Sequence, residues 1–226
     1  MRTISATPFL ATLAAVTLVA ATLAAGPALA HHPLAGAPMT TFSHGVLSGI
    51  GHPLLGVDHL FFVLAVGIAS AFTPARLLAP LGYVGGMVAG VALILAGVAL
   101  PMVEPVIALS LVIVGGLVMS GRSLPVAPLV AVVAVLGLFH GWAFGESLAG
   151  AEGGAAMGVT AGYLIGLAAC QWAIAVAAGH AVTGLLGARA ASATAARLSG
   201  ALVAGAGAFL VLEVVEGAAF AALGLA

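Results

Sequence analysis

The sequence predicts an all-α membrane protein: a six-transmembrane-helix bundle behind a secretory signal, with both the N-terminus and the C-terminus of the mature chain extracytoplasmic. Three observations lead there. Of 226 residues, 63% are hydrophobic and 5% charged, whereas a soluble domain carries about 25% charged residues to clothe its surface. Apolar runs of about 20 residues, the length that crosses the hydrocarbon as a helix, recur along the chain. The arginines beyond the leader fall in alternate connections only. No run alternates polar and apolar residues as a barrel strand does, so helix is the spanning form.

The leader comes first. Arg2 supplies a positive start, Phe9 to Ala25 an apolar core and Ala28-Leu29-Ala30 a small-residue cleavage site, the three parts of a signal peptide. Residues 1–30 are read as that signal and 31–49 as a short periplasmic segment. Residues 50–226 form the six-helix domain. Cleaved, or kept as an anchor, the leader leaves residue 31 outside. A mature chain starting at His31-His32-Pro33 would offer a free amine and two imidazoles to a divalent ion.

The six spans are placed at His52–Phe72, Leu78–Leu100, Val103–Met119, Val126–Leu148, Ala156–Ala178 and Leu198–Leu223. The third is bounded by Pro101 and by the breakers Gly121 and Pro125. Gly82-Gly86-Gly90 and Gly158-Gly162-Gly166 put small residues at four-residue spacing, which lets helices approach closely in lipid. Arg76, Arg122, Arg189 and Arg197 lie after the first, third and fifth spans, and positive loops stay cytoplasmic. That independently puts both mature ends outside.

Composition also excludes classes. A formal net charge of -1 and the absence of lysine leave no nucleic-acid footprint, and rule out the lysine of a nucleotide-binding loop. The one cysteine, Cys170, forms no internal disulfide and no multi-cysteine metal cage. Scattered methionines and missing thiolates argue against a Cu⁺ path.

Chemistry concentrates in a few polar residues inside apolar runs, where ionisable groups are functional candidates by default. His52-Pro53-Leu54-Leu55-Gly56-Val57-Asp58-His59 opens the first span. If that helix is regular, His52 and His59 share a face, and Asp58 and His59 lie about 12–13 Å below the outer surface at 1.5 Å per residue. Phe139-His140-Gly141-Trp142-Ala143-Phe144-Gly145-Glu146 closes the fourth span, which runs outward. By the same count His140 is level with Asp58 and His59, and Glu146 with His52. Glu213 and Glu216, three apart on the sixth span, would need a cation, protons or a polar cavity. Gln171 and His180 could continue a path inward, or serve as an interhelical hydrogen bond and an interfacial side chain.

Imidazole and carboxylate together suit Ni²⁺, Co²⁺, Zn²⁺ or Fe²⁺. The candidate ligands are His52, Asp58, His59, His140 and Glu146, with His31, His32, Glu213 and Glu216 as weaker ones. A proton relay or a hydrogen-bond network uses the same residues. No His-Glu-x-x-His occurs, so a zincin-like protease lacks its motif.

The two stretches resemble the signatures of the HupE/UreJ family. HPLLGVDH followed by FFVLAVG is similar to its first-helix signature, a His, five residues, then Asp-His. FHGWAFGE is similar to its second, Phe-His-Gly-x-Ala-x-Gly-x-Glu. The resemblance spans essentially the whole chain and implies a bacterial inner-membrane nickel or cobalt permease linked to hydrogenase or urease systems. It maps His52, Asp58, His59, His140 and Glu146 onto the family's metal-handling positions. Cys170-Gln171-Trp172 stands where the family's fifth helix often carries a histidine. The expectation is therefore a permease that imports Ni²⁺ or Co²⁺ as its cargo, with no catalytic cofactor. Its partners would be hydrogenase, urease or cobalamin maturation proteins. A metal-binding accessory or sensor without net transport, and a membrane-embedded metallohydrolase, are the other classes.

Overall fold

A computed structural model describes residues 38–149 and 156–224. The signal region, His31 and His32 lie outside the described residues. Seven helices follow: α1 Phe42–Leu55, α2 Val57–Ala71, α3 Pro80–Leu95, α4 Val103–Met119, α5 Val126–Ala149, α6 Met157–His180 and α7 Thr194–Ala222. A π-helical turn, Ala181–Leu185, extends α6.

The first expected span, His52–Phe72, is corrected. Helix begins already at Phe42, inside the stretch read as a periplasmic segment, because Thr41 accepts the His44 amide and caps it. The helix then breaks at Gly56, and α1 and α2 meet at 82°. Pro53 lacks the amide proton its turn would use. Gly56 takes φ −81°, ψ 106°, which is extended rather than helical. A Cβ at Gly56 would lie 2.8 Å from the His59 ring and 3.3 Å from Asp58 Oδ1, so glycine is what lets both side chains fold back over the break. His52 and His59 therefore do not share one face of a regular helix.

Among the described residues three helices, α5, α6 and α7, are long and apolar enough to span a membrane, or four if α1 and α2 count as one. The 16 residues of α3 and 17 of α4 are about 24–26 Å long. That is shorter than a hydrocarbon core of about 30 Å.

Glycines zip the helices into three pairs. In α3 and α5, Gly86 faces the Ala134 carbonyl, Gly90 that of Leu138 and Gly141 that of Met87; a Cβ on any of them would sit within 2.0 Å of carbonyl oxygen. In α1 and α6, Gly45 and Gly49 oppose Val159 and Tyr163, while Gly162 and Gly166 oppose Phe42 and Val46. Contact numbers rise together in both pairs, so each is parallel. In α4 and α7, Gly115 meets Ala204 and Gly200 meets Met119; here one number rises as the other falls, and the pair is antiparallel. These directions fit a chain whose spans alternate. Of the expected glycine stripes, Gly82-Gly86-Gly90 is used throughout, whereas Gly158 has nothing within 4 Å of where its Cβ would be.

The connections after α2, α4 and α6 gather at one end. There a cavity of about 830 Å³ is lined by Thr73, Ser123, Thr183 and Arg189 among others, and Arg197 donates from Nε to the Met119 carbonyl at the end of α4, 3.0 Å. This arginine end is opposite the two motifs.

Candidate metal site

The break at Gly56 places the first motif. α2 starts with Asp58 in its first turn, where Oδ1 accepts the His59 amide at 2.8 Å and complements the positive end of the helix. His59 then points into the bundle and is almost wholly buried. α5 brings His140, fully buried, because Gly137 and Gly141 on its neighbouring turns let α3 lie against its backbone.

The two motifs meet there. His59 Nδ1 and His140 Nδ1 are 2.7 Å apart, and Asp58 Oδ2 lies 4.0 Å from His59 Nε2. Phe62 stacks on His140 with ring centroids 4.2 Å apart, and Phe144 packs on His59 at 4.2 Å. The His52 ring lies 6.0 Å from that of His59 and edge-on to Phe144 at 4.9 Å. Despite the broken helix, His52, Asp58, His59 and His140 form one polar cluster walled by aromatic rings.

Hydroxyl groups fix the direction of its hydrogen bonds. Ser110 Oγ donates to the Ile107 carbonyl at 2.6 Å; a carbonyl cannot donate, so the hydroxyl proton lies between them. Ser110 therefore accepts from His140 Nε2 at 2.9 Å. With the ring neutral, His140 Nδ1 is the acceptor and His59 Nδ1 the donor of their shared bond. In the same way the Tyr163 hydroxyl donates to the Phe144 carbonyl at 2.8 Å and accepts from His52 Nδ1 at 2.9 Å. Ser147 Oγ lies 2.9 Å from the same Phe144 carbonyl oxygen and 3.2 Å from the Tyr163 hydroxyl.

The other candidates stand apart. Glu146 is exposed on α5, about 120° around the helix from His140. Glu213 and Glu216 are exposed on the last turns of α7, and so is His180, whose Nδ1 lies 2.9 Å from the Val176 carbonyl oxygen. Gln171 is fully buried, yet neither its amide oxygen nor its nitrogen has a hydrogen-bond partner. Among the described residues no three His, Cys, Asp or Glu side chains are arranged to enclose an ion as they stand.

Sequence reasoning passed over Ser110, Tyr163 and Glu104. Ser110 is the one hydroxyl in the apolar run of α4, and Tyr163 one of two tyrosines in the chain; a hydroxyl inside such a run is a signal that could have been counted. Glu104, in the first turn of α4, lies within electrostatic range of Asp58 and Glu146.

Comparison with known proteins agrees with the motifs. No solved structure matches the chain. Protein HupE of Rhizobium leguminosarum bv. viciae is 34% identical over 139 residues, which cover 61% of this chain and 72% of that protein. The family model described as HupE / UreJ protein matches residues 18–210. Both signatures and the buried contact between them fall inside that match, and the chain belongs to the HupE/UreJ family.

Proposed function

We propose that the protein is an inner-membrane permease that brings Ni²⁺ or Co²⁺ into the cytoplasm. It crosses the bilayer six times behind a signal peptide, with the histidine end outward and the arginine end in the cytoplasm. One observation carries this reading: His59 and His140, 81 positions apart on separate motifs, meet nitrogen to nitrogen in a buried site at 2.7 Å. The family's association with nickel and cobalt uptake for hydrogenase and urease supports the choice of ion, as does a donor set of imidazole and carboxylate.

The geometry states what binding requires. Two imidazole nitrogens that hold one ion at about 2.0–2.1 Å stand roughly 3.0–3.4 Å apart, so the pair has to part by less than about 1 Å. Binding an ion between the two Nδ1 atoms would require the His59 proton to move from Nδ1 to Nε2, leaving a lone pair on each Nδ1. Asp58 Oδ2 then faces His59 Nε2, where a proton on that nitrogen gives the carboxylate–histidine arrangement that orients a ligand ring. His52 and Asp58 supply further donors at the mouth. The acidic residues Glu104, Glu146, Glu213 and Glu216 would raise the local cation concentration at that end.

The test is uptake of radiolabelled nickel and cobalt by cells lacking other importers. His59→Ala should reduce uptake to background; unchanged uptake, with the variant present in the membrane, defeats the reading. The bundle interior favours one alternative. Val66, Met87, Leu111 and Val114 are fully buried apolar side chains, and apolar packing of that kind opposes passage of an ion through the bundle. Such an accessory protein binds metal in detergent and gives no flux in liposomes.

A further inference from the structure

Two residues outside both motifs set the chemistry of the histidines inside them. Ser110 comes from α4 and Tyr163 from α6. Each spends its only proton on a backbone carbonyl, Ser110 on Ile107 and Tyr163 on Phe144. Each therefore has only lone pairs to offer its histidine. Ser110 compels His140 to carry its proton on Nε2, and Tyr163 compels His52 to carry its proton on Nδ1. Both hydroxyl-bearing residues are fully buried, so water does not compete for these bonds.

We propose that Ser110 and Tyr163 are positioning residues that lock the ring tautomers of His140 and His52, so that His140 presents Nδ1 and His52 presents Nε2 to the ion. This rests on the reading of those histidines as ion ligands. Neutral imidazole binds a metal through its unprotonated nitrogen, and the hydrogen bond on the other nitrogen decides which one that is. Without Ser110, His140 can place its proton on Nδ1, the atom that faces His59, and the shared site loses a lone pair. Without the Tyr163 hydroxyl, His52 can turn over and withdraw Nε2. Neither positioning residue touches the ion.

Full-length protein with Ser110→Ala, Ser110→Thr, Tyr163→Phe or His140→Ala tests this by two readouts. The first is nickel and cobalt uptake, resolved into half-saturation concentration and maximal rate. The second is the ¹⁵N ring shifts of labelled histidines in purified, metal-free protein, which report tautomers without any transport. Ser110→Ala should move the His140 shifts toward a tautomer mixture and raise the half-saturation concentration roughly 10- to 100-fold, the usual cost of a lost orienting partner. Ser110→Thr, which keeps the hydroxyl, should restore both. Tyr163→Phe should do the same to His52 while leaving His140 unchanged. Unaltered ring shifts and unaltered half-saturation in Ser110→Ala and Tyr163→Phe overturn the proposal. If instead those shifts move while His140→Ala still transports normally, the tautomer lock stands as structure and the permease reading is what fails.

Discussion

The two ends of this bundle solve the same problem, polar groups inside an apolar protein, in opposite ways. At the histidine end the Ser48 and Tyr83 hydroxyls lack a partner, but the imidazoles are tied to hydroxyls and to one another: His59 to His140, His140 to Ser110, His52 to Tyr163. Toward the arginine end the buried polar side chains are left over. Gln171 has both amide atoms without a partner, and Ser70, three turns along α2 from His59, has none for its hydroxyl. A fully satisfied network is rigid and specific, whereas an orphaned buried group costs about 1–3 kcal/mol. The imidazoles of the motifs are thus held in place, while the Gln171 amide beyond them is not.

The sharpest way to break this comparison is to cut the network. His140→Ala should abolish nickel and cobalt uptake, measured with radiolabelled metal, while the protein still inserts; retained uptake would mean the satisfied end is merely structural. The next largest effect is on the scaffold. A side chain at Gly141 meets the Met87 carbonyl at 1.9 Å, so Gly141→Val should separate α5 from α3 and lower stability by at least about 1–3 kcal/mol, seen as a lower thermal midpoint in detergent. An intermediate effect is expected at the other end. Gln171→Leu removes two orphaned atoms and should raise stability by about 1 kcal/mol, read by the same thermal midpoint; a fall in uptake at raised stability places the amide on the ion's route. The smallest effect belongs to Glu146→Gln. Because Glu146 is exposed, it should slow uptake only modestly and only at low ionic strength, since surface charges are screened over about 10 Å at 0.1 M salt; loss at every salt concentration would put Glu146 in the site itself.

Much of this was legible beforehand, and for definite reasons. Helices bounded by Pro and Gly were placed closely, as with Val103–Met119, because composition alone decides what hydrocarbon admits. Equal depth for His59 and His140 came from counting residues inward from each end of an alternating chain. Azimuth was harder. Glu146 follows His140 by six positions, about 240° around the helix and hence about 120° from the His140 direction, so the two do not share a face. The break at Gly56 was hinted at by Pro53 and Gly56, but its 82° angle is set by how α1 and α2 pack along α6. Ser110 and Tyr163 were invisible as partners because their bonds cross 30 and 111 positions of sequence.

The glycine zippers have a mechanical consequence. Where backbone rests on backbone there is no side chain to slide over, so α1 with α6, α3 with α5 and α4 with α7 behave as three stiff units. The site takes one contribution from each: His52 and Tyr163 from the first, His140 from the second, Ser110 from the third. α2, carrying Asp58 and His59, belongs to the first unit, because Gly67 rests on the Ala175 carbonyl of α6. Parting the two histidines by under about 1 Å therefore calls for no helix to bend or unwind. A slight shift of one unit against another is enough, and it is felt at once by every residue in the cluster.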